Sequence, residues 1–168
     1  MISRTLESAI YTTYHLGILG RVAAARLEFA TSRRYLHEAL RTASEAQLWS
    51  QLALSLYHTA VILRCEATFV GTNNPAYIVR QAQALELLAS IAHHPTVWHV
   101  CQMRARHLSD ELRRDLPPNL AETASGRGQQ LDWQVSVAAL LDELAHPGLP
   151  VLPSEDAHQP QLSTSFAA

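Results

Sequence analysis

The chain has 168 residues, 48% of them apolar, with 13 basic and 15 acidic side chains and a formal charge of −2. That length and apolar content suit one domain with a continuous core, and the near-neutral charge gives no pull toward nucleic acid or an acidic membrane surface. Every basic residue is an arginine, which excludes a phosphate-loop lysine, a Schiff base and a lysine general base.

Taken in chain order, the apolar and small residues fall at helical spacing almost throughout. From about Thr5 to Leu27, the residues Leu6, Ile10, Thr13, Leu16, Gly20 and Ala23 recur at three- and four-residue steps. A short turn near Glu28 leads to a second helix carrying Ser32, Leu36, Ala39, Leu40 and Ala43. A third runs from roughly Glu45 to Phe69, with Leu48, Leu52, Leu56, Thr59 and Leu63 on one side. Gly71-Thr72-Asn73-Asn74-Pro75 stops it and starts the next, because glycine ends helices and asparagine before proline caps them. The fourth helix reaches His93 with Ala84, Leu85, Leu88, Ile91 and Ala92 as its stripe. Pro95-Thr96 is expected to open a fifth, carrying Val97, Cys101, Ala105, Leu108 and Leu112, and Leu116-Pro117-Pro118 to close it. A sixth is expected from Asn119 to Ser125, broken at Gly126-Arg127-Gly128. Asp132 can cap a seventh whose apolar face reads Leu131, Val135, Ala138, Leu141 and Leu144. Beyond His146, prolines among polar residues predict a disordered tail, so the domain is expected over residues 1–145 and the tail over 146–168.

Leu19-Gly20, followed by Phe29, Ser32, Leu36 and Ala39-Leu40, resembles a tetratricopeptide-type helix pair. Small residues let the two helices approach closely, and a pair of this kind buries its apolar face only by stacking on neighbours. The expected fold is all-α, built of tetratricopeptide-like antiparallel helix pairs in an α-solenoid of six or seven helices. Ala84 would play in the second pair the part of Ser32 in the first, with extra residues taken up by the Asn-Asn-Pro loop and a longer fourth helix.

Three later segments extend the resemblance: Ala84-Leu85-Glu86-Leu87-Leu88-Ala89 running into His93-His94-Pro95 and Trp98; Leu116-Pro117-Pro118 followed by Arg127-Gly128 and Leu131-Asp132; and the ending Leu140-Leu141-Asp142-Glu143-Leu144. Over residues 14 to 145 this order is similar to the C-terminal end of bacterial multidomain transcriptional regulators of the signal-transduction ATPase class. The resemblance implies a sensor or autoinhibitory arm acting on an ATPase or effector domain. The phosphate loop of that ATPase and a basic recognition helix are both missing here, so a detached arm or a small stand-alone relative is implied.

Candidate chemistry is sparse. His93, His94, His99, Cys101 and His107 crowd one region, but their spacings are not those of zinc modules, and no metal or other cofactor is expected. Glu86, Asp110, Glu111, Asp115, Asp142 and Glu143 read as solvated helix faces. No nucleophile elbow or His-Glu-x-x-His motif occurs, and no catalysis is expected. Arg33-Arg34 and Arg104, Arg106 and Arg113-Arg114 suggest an anion stripe that interleaved acids would neutralise. Cys65 and Cys101 read as free thiols of a cytoplasmic protein, and the start of the chain does not read as a signal peptide.

The register set at Gly20 turns Tyr14, Gly17, Arg21 and Ala24 toward the concave side of a helix stack, with Tyr57, His58, Val61 and Arg64 from the next pair. An arginine beside tyrosines and small residues can hold a peptide carboxylate. The expectation is a protein or peptide partner in that groove, without direct nucleic-acid or membrane contact. The alternative is an inducer pocket for a small molecule. An open groove favours the first and a closed apolar cavity the second.

Overall fold

Seven helices make up the described part of the chain, residues 4–145 of a computed structural model, and no strand occurs among these residues. They are α1 (Arg4–Ala25), α2 (Phe29–Glu45), α3 (Trp49–Val70), α4 (Pro75–His93), α5 (His99–Asp115), α6 (Pro118–Gln129) and α7 (Trp133–Ala145). The tail expected from residue 146 lies outside the described residues. No described helix is long and apolar enough to cross a membrane.

The first two turns are built alike. Leu27 and Gln47 each take a left-handed conformation, with φ of 63° and 53°. After α1, the Glu28 amide donates to the Ala23 carbonyl at 2.9 Å and Leu27 to Ala24 at 2.9 Å. After α2, Leu48 donates to Ala43 at 2.9 Å and Gln47 to Ser44 at 3.1 Å. These paired bonds satisfy the last carbonyls of each helix and reverse the chain in three residues. The turn after α3 uses glycine instead, at Gly71 with φ of 83°. The Asn74 side chain then accepts from the Ala76 amide at 2.9 Å to start α4 at Pro75, as its sequence predicts.

Helix α1 faces its neighbours with small residues: Thr13, Gly17, Gly20, Ala23 and Ala24 are buried. At Gly20 the backbone meets α2 directly, because the Ser32 hydroxyl donates to the Gly20 carbonyl at 2.8 Å. The stripes read on α2, α4 and α5 are buried throughout, and Leu36, Leu40, Leu56, Leu85, Leu88, Ile91 and Leu112 form the solvent-free centre.

Three local expectations need correction. Residues 95–98 form a turn, and α5 begins only at His99. Helix α6 runs through Gly126 and Gly128 without a break. Gly128 is there for proximity: a methyl group on it would lie 2.2 Å from the Glu86 carbonyl oxygen and 2.7 Å from Ala89 Cβ of α4. The buried face of α7 is Trp133, Val137, Leu140 and Leu144, whereas Val135 is 68% exposed. The Trp133 ring stacks on His94 with centroids 4.1 Å apart. That contact at one end and a Glu143 hydrogen bond from Gln83 at the other lay α7 antiparallel to α4 and against α2.

Candidate functional site

Helices α1, α3 and α5 stand side by side and bound an open cleft of about 800 Å³. The α3 wall is one helical face, Tyr57, Val61, Arg64, Cys65, Thr68 and Phe69, repeating at three- and four-residue steps. Helix α1 and its turn supply Arg21, Ala24, Ala25 and Leu27; α5 supplies Met103, Arg104, His107, Leu108 and Glu111. Phe69 packs edge-on against Phe29, with centroids 5.3 Å apart, and so fixes the rim near the first turn.

Charge in the cleft is only partly compensated. Arg64 and Glu111 form an ion pair from α3 to α5, and His107 Nε2 lies 3.3 Å from the same carboxylate. The Arg64 hydrogen bond, aided by its charge, holds the Glu111 carboxyl below its usual range. Arg21 and Arg104 have no hydrogen-bond or ion-pair partner among the described residues. Both lie close enough to His58 that their charges help to suppress its protonation, after burial itself, pushing its pKa down to about 4. Burial pushes the Cys65 thiol up despite the nearby Arg64 and Arg21 charges, and Cys101 likewise. Both thiols are free, and neither is poised as a thiolate nucleophile.

Of the groove residues expected from sequence, Arg21, Ala24, Tyr57, Val61 and Arg64 come together in this cleft. Tyr14, Gly17 and His58 are placed elsewhere. Tyr14 is 48% exposed on the outer side of α1. Gly17 and His58 meet behind the cleft wall, where a methyl on Gly17 would come within 2.4 Å of the imidazole. His58 is buried, and both ring nitrogens lack a hydrogen-bond partner. Sequence reading missed the whole α5 wall as groove, although Arg104, Leu108 and Glu111 share a face at the same spacing as the α3 residues.

Most of the other groups read as candidates have structural partners. Arg33 is buried on the side of the molecule away from the cleft and donates twice to Glu66, at 2.7 Å each. Arg80 reaches Glu66 at 3.0 Å and Glu143 at 3.5 Å, so the cluster ties α2, α3, α4 and α7 together. Arg113 donates to Ser125, Arg106 to the Ala92 carbonyl and Arg114 to the Asp110 carbonyl. Arg127 pairs with Glu86 at 3.0 Å. His93 bonds the Ala89 carbonyl, His94 lies on Trp133, and His99 and His107 are exposed. No three His, Cys, Asp or Glu side chains converge on a metal position among the described residues.

Comparison of the chain with known protein families, curated proteins and solved structures yields no match.

Proposed function

We propose that this chain is a non-catalytic protein-interaction or sensor module, its helix pairs stacked in the tetratricopeptide manner, with the α1–α3–α5 cleft as its binding surface. The observation that carries the reading is the pairing of an apolar, open cleft with two guanidinium groups, Arg21 and Arg104, that have no counter-charge among the described residues. Arginine forks of this kind hold carboxylates bidentately, while Tyr57, Val61 and Met103 offer apolar contact. The occupant that fits is an extended or helical protein segment combining an acidic group with apolar side chains. The absence of lysine and of catalytic motifs supports a binding role, and the resemblance to regulator arms suggests an ATPase or effector domain as the source of the segment.

The inducer reading draws on one observation, that the cleft volume falls in the range of small-ligand sites, roughly 300–1,000 Å³. The open mouth favours a segment of a protein chain. Selection from a displayed random-peptide library tests the choice. Enriched peptides should share an acidic residue beside apolar ones, and Arg21→Glu should weaken their binding by roughly 5- to 150-fold while leaving helicity intact. Failure to enrich any sequence, or equal affinity for the Arg21→Glu variant, overturns the assignment of the cleft.

A further inference from the structure

The α1–α3–α5 cleft and the sequence that follows α7 match in charge, in order and in reach. Beyond Glu143 the acidic residues of the chain are Glu155 and Asp156 alone, and the apolar Leu149, Val151 and Leu152 precede them. Pro147, Pro150 and Pro153 are interleaved with these residues. Prolines at that spacing oppose helix and favour extended backbone, which advances ~3.1 Å per residue. The cleft holds the complement: an apolar rim at Leu27 and Phe69, then Arg21 and Arg104 without counter-charge among the described residues.

We propose that residues 149–156 of this same chain occupy the cleft as an internal ligand that a partner segment must displace, an inference that rests on the cleft being the binding surface. Helix α7 ends at the correct end of the molecule. Its last turn, Leu140, Glu143 and Leu144, borders a small hollow with Arg33 and Glu66. Glu66 stands one turn before Phe69 on α3, Arg33 one turn after Phe29 on α2, and the two phenylalanine rings touch. The rim is therefore one turn and one helix diameter, roughly 10–12 Å, from the end of α7. The chain from Ala145 to Val151 reaches up to ~19 Å, enough to round the first turn. Inside the cleft, Gly17 abuts His58, so Arg21 stands level with Ile62. The Arg64–Glu111 pair sets Arg104 about one turn deeper, beside Tyr57. Val61 lies roughly 12 Å from Phe69 along α3, and Val151 to Glu155 covers the same ~12 Å. With Val151 at the Phe69 rim, Glu155 thus meets Arg21 on the α1 wall. Successive side chains of an extended chain point to opposite sides, which turns Asp156 toward Arg104 on the α5 wall. Tethering favours this occupant over a free one, because a short linker presents it at an effective concentration on the order of millimolar.

The free thiol of Cys65 lies in the cleft between Phe69 and Val61 and reports this register, in which residue 153 passes over it. In the full chain under a glutathione redox buffer, Pro153→Cys should close a disulfide with Cys65 at least ~10-fold faster than Thr164→Cys, the gain in effective concentration from docking. Mass mapping identifies the pair. Adding Glu155→Arg and Asp156→Arg should remove the advantage. Peptides selected on the cleft should bind the chain carrying Glu155→Arg and Asp156→Arg at least ~2-fold more tightly than the wild type, because the internal competitor is gone. Equal disulfide rates at 153 and 164, an advantage that survives reversal of both acids, or equal peptide affinity for the two chains overturns the internal ligand. Selected peptides that still require Arg21 would then leave the cleft as the surface for a foreign segment, whereas failure of both the disulfide and the peptide selection removes the cleft itself.

Discussion

The cleft and the opposite side of the molecule treat arginine in contrasting ways. On the side where α7 packs on α2, Arg33 is buried with two hydrogen bonds to Glu66, and Arg80 bridges Glu66 to Glu143. Burial alone would lower the Arg33 pKa, but the Glu66 hydrogen bonds and charge, with a contribution from Glu143, raise it overall. In the cleft, Arg64 is matched by Glu111, whereas Arg21 and Arg104 stand beside a neutral, buried His58. A compensated cation holds helices together, and an uncompensated one at a cavity wall is available to a ligand. Arginine content therefore says little until its counter-charges are placed.

The largest expected effect breaks the compensated side. Glu66→Gln leaves the buried Arg33 guanidinium short of its counter-charge and should destabilise the fold by about 3–5 kcal/mol. Chemical denaturation measures this; a loss below about 1 kcal/mol would mean that the cluster relaxes into solvent.

The next prediction separates the sides by pH. His58 titrates at about 4 in the fold, against about 6.5 in the unfolded chain. Between these values the unfolded chain binds the extra proton. Stability from this group is complete above pH 6.5 and falls as the pH drops toward 4, by about 3 kcal/mol in all. Denaturation across that window should show a steeper loss for the wild type than for His58→Leu. Equal slopes would show that the imidazole reaches solvent or a counter-charge.

Two glycines of α6 sharpen the same contrast between packed and open surfaces. Gly128→Ala should cost ~1–3 kcal/mol, because the methyl group meets the α4 backbone. Gly126→Ala has nothing within 4 Å of the new methyl and should stabilise the helix by ~0.5–1 kcal/mol. Thermal midpoints moving in the same direction for both would contradict this packing.

The smallest effect is on the open side. Arg21→Glu and Arg104→Glu should each change stability by no more than about 0.5 kcal/mol. A larger loss in denaturation midpoint would give these arginines a structural role and remove the contrast from which the binding role is argued.

The order of helices, the small and apolar stripes of α2, α4 and α5 and the Asn74 cap were legible in the sequence because they are local. A 3.6-residue period, a proline or an asparagine before proline acts within a turn or two of the chain. The all-α character followed from that periodicity, and the seven helices among the described residues lie within the six or seven expected; five of the eight groove residues read from the sequence line one cleft. Local rules failed where a distant element decided. Leu27 and Gln47 take a conformation that glycine usually marks, held by the helix pairs on either side. Gly126-Arg127-Gly128 looked like a break, yet Gly128 is the point where α6 touches α4. The face of α7 was set by His94 and by the space between α2 and α4, not by its own period. Glu66 carried no signal at all, since its partners Arg33 and Arg80 are remote in sequence, and the third wall of the cleft depended on where α5 docks. Sequence determined that the described chain is helical and where most of its apolar stripes lie; only tertiary packing decided the bounds of α5 and α6, the buried face of α7 and which charges meet, because these depend on distances that chain-local periodicity does not encode.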